Sequence, residues 1–187
     1  MYLDSEICKV ARKYRRRCDC NDPYRLASDL GIIVMYEDLG DPSGNKAMTY
    51  CNSRIFIIIL NYNLPEVVQT FILYHEIGHY ALHKDYFKKP HIEKDVYGNQ
   101  QKETEANKFA AEMILDDDEI LEEIQESGYT FYQIASLHKV PFEILAYKFM
   151  LLEEKGYDIP PIPEYPSSDF LTGDLGMDEN WNVHYCD

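Results

Sequence analysis

The segment "FILYHEIGHYALH", residues 71–83, constrains this chain more than any other. Val67, Val68, Phe71 and Ile72 recur at helical spacing, so the segment reads as a helix with a buried face. That helix also carries His75, Glu76 and His79. Burying two imidazoles and a carboxylate is costly without partners, so the fold has to bring something to them. Positions i and i+4 lie one turn apart on the same helix face, and His75 and His79 can therefore converge on one metal ion. Glu76 is rotated by about a quarter-turn and sits beside such an ion rather than on it. This is the mechanical sense of the H-E-x-x-H pattern: zinc activates a water, and the neighbouring carboxylate, Glu76, takes its proton as general base and returns it to the leaving amine. The plainer reading is a core helix with hydrogen-bonded histidines.

Two helical ligands do not close a zinc site, which takes a third protein ligand and keeps one position open. His83 shares the helix face but lies about 12 Å along the axis from His75, too far for both to bind one ion. It reads as a helix-end or supporting residue. The segment "KETEANKFAAEM" offers a better source. Glu103 and Asn107 are an i, i+4 pair, suited to one ligand and one residue that hydrogen-bonds a ligating histidine. Glu105 points to another side and is the rival ligand. Ala106, Ala110 and Ala111 are small enough for this helix to pack close to the first.

The remaining chain supplies a scaffold. Its 187 residues suit one domain with a real core. A helix over 2–16 carries Lys9, Arg12, Lys13, Arg15, Arg16 and Arg17, either a solvated face or a docking patch for an acidic partner. A short helix over 21–31 is punctuated by Asp22, Pro23 and Gly31. Strand-like runs Ile32–Tyr36, Lys46–Cys51 and Arg54–Leu60 are separated by turn residues and predict a small, mostly antiparallel sheet. Asn63 reads as the N-cap of the H-E-x-x-H helix, with Glu66 completing a capping box. Further helices are expected from about Gln101, over 117–125, and as a pair within 129–155 broken before Pro141. The fold class is α+β. After Gly156 the chain has four prolines, seven acidic residues and no Lys or Arg, which predicts a flexible tail over 156–187 behind a domain over 1–155. Phe170, Leu171, Leu175, Met177 and Trp181 are spaced in it like a short linear motif.

A net charge of −15 argues against direct contact with nucleic acid or anionic membranes. No apolar run is long enough to span a bilayer, and the N-terminus lacks the apolar core of a signal peptide. Five cysteines without a secretory context read as reduced thiols in a cytoplasmic protein. Cys18 and Cys20, in "CDC", sit closer than the spacing zinc prefers and have no partner pair.

Four segments together, "YRRRCDCNDPYRLASDLGIIVMYEDLG", "RIFIIIL", "FILYHEIGHYALHKD" and "ETEANKFAAEMIL", resemble the ImmA/IrrE family of metallopeptidases. The match spans roughly residues 7–125. The resemblance implies a compact zincin-like fold of the gluzincin type, with one zinc held by His75, His79 and Glu103 and with Glu76 as general base. It also implies a protein substrate, a cytoplasmic helix-turn-helix repressor encoded nearby, whose cleavage derepresses a mobile element, prophage or stress regulon. This chain departs from the family in having Asp116 where a proline is common, which shifts a helix boundary. Residues 129–155 could form a helix-turn-helix-like appendage, for which protein contact fits the charge better than DNA. Tyr80, His83 and His138 are candidates to stabilise the oxyanion. The competing reading is an anti-repressor that acts by binding alone, with zinc as a structural staple. A cytoplasmic protease that destroys a repressor must also be restrained, and a tail lying in the cleft is one means. The sequence leaves the oligomeric state open.

Overall fold

A computed structural model describes residues 1–17, 22–52, 55–83 and 100–172. The element order is α1 (Asp4–Arg17), α2 (Pro23–Asp29), β1 (Ile32–Glu37), β2 (Ala47–Cys51), β3 (Phe56–Asn61), α3 (Glu66–Leu82), α4 (Gln100–Ile114), α5 (Asp117–Glu122), α6 (Phe131–Leu137) and α7 (Phe142–Glu154). The protein is α+β, as its patterning predicts.

The three strands lie in the order β1-β3-β2. β3 pairs antiparallel with β2 and parallel with β1, so the sheet is mixed rather than mostly antiparallel. The turn-rich stretch after β1 suggests a hairpin, but it carries the chain across to the far edge, and β3 returns between the two earlier strands. Asn61 holds this crossing. It is fully buried, and its amide donates to the carbonyls of Gly40 and Asn45, both at 3.1 Å. Its side-chain oxygen accepts from the Asn63 N–H at 3.1 Å. Asn63 is thereby drawn into this loop, its own amide donating to Asp38 and Gly40. It does not cap α3, whose N-cap is Pro65 with no side-chain cap bond.

β3 alternates as a strand with one covered face should. Phe56, Ile58 and Leu60 are buried against the helices. On the other face Ile57 and Ile59 are half-buried among exposed Ile33, Met35, Met48 and Tyr50. α3 packs on the covered face and against α4, which in turn contacts α1 and α7. Gly78 lies at the α3–α4 contact: a Cβ there would come within 3.2 Å of Ala106 Cα and carbonyl oxygen and 3.1 Å of the Phe109 ring. The small residues of both helices thus set their close approach.

Residues 129–155 are not set apart as an appendage. α7 packs on α4 and α1 and contributes buried Ile144, Leu145, Tyr147, Phe149 and Leu152 to the core. Lys148 is fully buried there and bonds Glu112 at 2.9 Å and Asp117. Lys155 bonds the same two carboxylates at 2.8 and 2.7 Å. Much of the basic face of α1 is also consumed internally. Arg15 donates to the carbonyls of Glu112 and Met113 at the C-terminal end of α4, where a cation suits the helix dipole. Arg12 faces Asp117 at 3.9 Å, and Arg17 donates to the Asp29 carbonyl. Asp116, the departure from the family pattern, caps α5 by accepting from the Asp118 N–H. Cys8 and Cys51 are free thiols; Cys18 and Cys20, like Leu175, Met177 and Trp181, lie outside the described residues. Among the described residues, no helix is long and apolar enough to cross a membrane.

Gly78→Leu should destabilise the protein by about 1–3 kcal/mol through overpacking against backbone that has nowhere to go. An unchanged urea midpoint would show that α3 and α4 can separate freely. Glu143 yields a pH prediction. Burial pushes its carboxyl up to about 7 from an ordinary 4.5, with Glu164 adding to the rise. A carboxyl kept neutral by the fold contributes its stability below 4.5 and loses it as pH climbs to about 7. Glu143→Gln stays neutral throughout, so its melting temperature should gain on wild type across that window and hold the gain above it. Equal differences on both sides of the window would mean that the folded state lets Glu143 ionise freely.

Candidate metal centre and active site

The site is built on the facing sides of α3 and α4. His75, Glu76, His79 and Glu103 are all buried. His75 Nε2 and His79 Nε2 stand 3.0 Å apart. Glu103 brings its two oxygens to them, Oε2 at 3.3 Å from His75 Nε2 and Oε1 at 3.4 Å from His79 Nε2. One ligand atom from each of the three residues falls within a 4.8 Å cluster that could hold a metal ion.

The outer nitrogens of both histidines are spoken for. His75 Nδ1 bonds Asn107 Oδ1 at 2.7 Å. The amide oxygen can only accept, so the ring proton sits on Nδ1 and the lone pair on Nε2. His79 Nδ1 meets His83 Nδ1 at 3.2 Å, and His83 Nε2 meets Glu105 Oε2 at 2.9 Å. With His83 donating to the carboxylate, its Nδ1 accepts from His79, and His79 Nε2 is again left with a lone pair. Glu105 is anchored in turn by the Tyr2 N–H at 3.0 Å and by Gln101 at 2.8 Å. Two lone pairs and a carboxylate therefore point at one buried spot, an arrangement that repels itself unless a cation joins it. Glu103 Oε1 is buried with no hydrogen-bond partner, the orphan acceptor that a metal would satisfy. Burial pushes the Glu103 carboxyl up, but the two imidazoles facing it outweigh this and hold it down at about 2, so it stays an anion. Burial pulls His75 down, and Glu103 more than offsets this, leaving it raised. The residues present fit a metal, and two imidazoles with one carboxylate form a set that suits zinc.

Glu76 stands beside this group. Its Oε2 accepts from the Thr49 hydroxyl at 2.6 Å, which ties it to β2. A cleft of about 240 Å³ opens onto His75, Glu76 and Glu103, lined also by Gly44–Ala47, Ile72, Ser168, Asp169 and Leu171.

A family model described as the IrrE N-terminal-like domain, a peptidase family, matches residues 27–150. This chain belongs to that family. It is a metallopeptidase of the ImmA/IrrE group, and it is similar over most of its length to two proteins of the genus Bacillus and its phages. It shares 33% identity over 133 residues with "Metallopeptidase ImmA" of Bacillus subtilis (strain 168), covering 68% of this chain and 75% of that one. It shares 28% identity over 147 residues with "Uncharacterized immunity region protein 2" of Bacillus phage phi105, covering 76% of this chain and 85% of that one.

Within this metallopeptidase the residues singled out in the sequence separate into three groups. His75, His79 and Glu103 converge, with Glu76 adjacent and Asn107 on His75. Glu105 stays out of the cluster and holds His83, which in turn holds His79. The candidates for the oxyanion are placed elsewhere: Tyr80 packs edge-on against Phe56 at 5.0 Å, and His138 pairs with Glu123 at 2.9 Å. Neither lines the cleft, and His83 is committed to its two neighbours. Thr49, Ser168 and Asp169 escape a reading of the sequence, whereas Leu171 stands out there only as part of an apolar spacing in the tail. Thr49 had one faint signal, as a polar residue on the inward row of β2 between Ala47 and Cys51.

Glu103→Ala should lose most bound metal. Glu105→Gln should keep one ion per chain and weaken binding by about tenfold, since it only loosens the support of His79. Plasma mass spectrometry and a chelator titration separate the two. Metal lost from Glu105→Gln and kept by Glu103→Ala would reverse the assignment.

Proposed function

We propose that this metallopeptidase is a cytoplasmic zinc endopeptidase that cleaves a helix-turn-helix repressor of a mobile element or prophage. The observation that carries the reading is the buried convergence of His75, His79 and Glu103 at a cleft that also holds Glu76. A structural zinc is closed by four protein ligands; among the described residues this cluster has three and opens to a cleft. That favours catalysis over a binding-only anti-repressor. The relative named for a phage immunity region supports a repressor as substrate.

His75, His79 and Glu103 would hold the ion, and Asn107 and His83 keep both imidazoles in the tautomer that leaves an Nε2 lone pair for it. When bound, zinc supplies Lewis acidity that makes water a better nucleophile and polarises the scissile carbonyl. Glu76 accepts the proton of the attacking water and passes it to the amine that leaves. The Thr49 hydroxyl fixes one Glu76 oxygen, so the carboxylate is aimed before substrate arrives. β2 is the sheet edge next to this carboxylate. An extended substrate pairs with that edge through its main chain, which holds the scissile bond in place irrespective of side chains.

Glu76→Gln should retain fold and metal while cleavage of the repressor encoded beside this protein falls by about 10²–10⁴-fold. Mass spectrometry of a mixture of the two proteins reads this as loss of fragment termini. Fragments at the wild-type rate would remove Glu76 from the mechanism, and an intact repressor held in a stable complex by wild type would favour binding alone.

A further inference from the structure

The family model ends at residue 150, yet one wall of the cleft comes from beyond it. After α7 the chain runs through proline-containing residues 157–165, exposed except where Ile159 and Ile162 rest on the core, and then docks at the cleft. The Ser167 carbonyl accepts from the Tyr147 hydroxyl at 3.2 Å. The Ser168 carbonyl accepts from Asn107 Nδ2 at 3.0 Å. Phe170 is 7% exposed and its ring lies 6.4 Å from that of Tyr147. A short 3-10 turn follows over Phe170–Thr172. Both carbonyl contacts are main-chain on the segment's side, so they fix its path whatever side chains it carries.

Asn107 ties this segment to the metal cluster. Its oxygen orients His75 and its nitrogen holds Ser168, so one amide registers the C-terminal segment against the metal cluster. The segment then places Ser168, Asp169 and Leu171 in the cleft wall. Leu171 lines the same cavity as Ala47 and Ile72, and these three are its apolar side chains. The segment lines the cavity without filling it.

We propose that Ser167–Leu171 is a substrate-binding wall of the peptidase and that Leu171 selects an apolar substrate side chain beside the scissile bond. The proposal rests on the endopeptidase reading and names the specificity of that site. A tail that merely covered the cleft would be removable with gain of activity. A wall is not, because the socket it completes is lost with it.

The test uses the full zinc-loaded chain as wild type, Leu171→Arg and Leu171→Asp, with zinc content checked for each. One readout is the residue preference around cut sites in a complex peptide mixture. The other is calorimetric binding of leucine, aspartate and lysine hydroxamates, which needs no turnover. Wild type should cut beside apolar residues and bind the leucine compound tightest. Leu171→Arg should move both preferences toward acidic side chains, and Leu171→Asp toward basic ones, each by about tenfold. Preferences that ignore residue 171 while peptides are still cut would overturn the wall and leave the peptidase reading standing. Hydroxamate preferences that follow residue 171 while no peptide or repressor is cut would uphold the wall and overturn the peptidase reading. A chain ended after Tyr165 that cuts all peptides faster, with unchanged preference, would show a cover and sink the proposal.

Discussion

Gly78 brings the α3 backbone against Ala106 of α4, and the chemistry of the site follows from that contact. His75 precedes Gly78 by three positions and His79 follows it by one; Glu103 and Asn107 stand in the same relation to Ala106. The two helices thus meet at their smallest residues, with polar side chains flanking the contact on the same offsets. A larger residue at Gly78 would press on the Ala106 backbone and move α4, with Glu103 on it, away from the imidazoles. Phe109 closes the seam beside Gly78, and Ala110 and Ala111 are buried next to it. The helix that needs partners for two histidines therefore obtains them from a neighbour that can come close enough to supply them.

From this contact, hydrogen bonds run outward in two directions. One goes from His79 through His83 to Glu105 and ends on the Tyr2 N–H at the start of the chain. The other goes from His75 through Asn107 to the Ser168 carbonyl, beyond the last long helix. Buried polar groups are costly singly and stabilising when every member is satisfied. Here both relays terminate on main chain, which cannot rotate away. The ligand tautomers are consequently set by segments distant in sequence. The free thiol of Cys8 illustrates the opposite case: burial pushes it up to about 11, which keeps it an inert thiol in the α1 interface.

The helices and the metal cluster were legible in the sequence because they depend on short spacings. An i, i+4 pair of histidines and an i, i+4 Glu–Asn pair declare their own geometry, and α3 and α4 form close to where the periodicity puts them. What depended on long-range pairing was not legible. The insertion of β3 between β1 and β2 is fixed by Asn61, whose side-chain bonds to Gly40, Asn45, Asn63 and Leu39 have no local signature. His138 carried the right chemistry in the wrong place, since nothing in its neighbourhood of sequence reveals that Glu123 waits for it. The composition of the tail spoke for solvent, and it was right about residues such as Tyr165, which is 74% exposed. Average composition says nothing of where Phe170 goes, because a few apolar side chains, here Phe170 with Ile159, Ile162 and Leu171, can dock a segment whose average is polar.

The sheet order also limits what substrate geometry the cleft accepts. Because β3 takes the centre, β2 is left at the edge with Thr49 reaching Glu76. A chain that adds to this edge has to be extended over several residues, and its backbone has to give up any helical bonds it had. Within a folded helix-turn-helix domain those bonds are made and protected. On the proposed reading, the scissile bond therefore belongs in a linker, a terminus or a helix that frays, where opening is cheap. Selection by an apolar socket alone would be far too permissive for a regulator. Edge pairing supplies a second filter by demanding local disorder, and the two together admit a segment that is apolar yet not folded away, a combination most stable proteins avoid displaying.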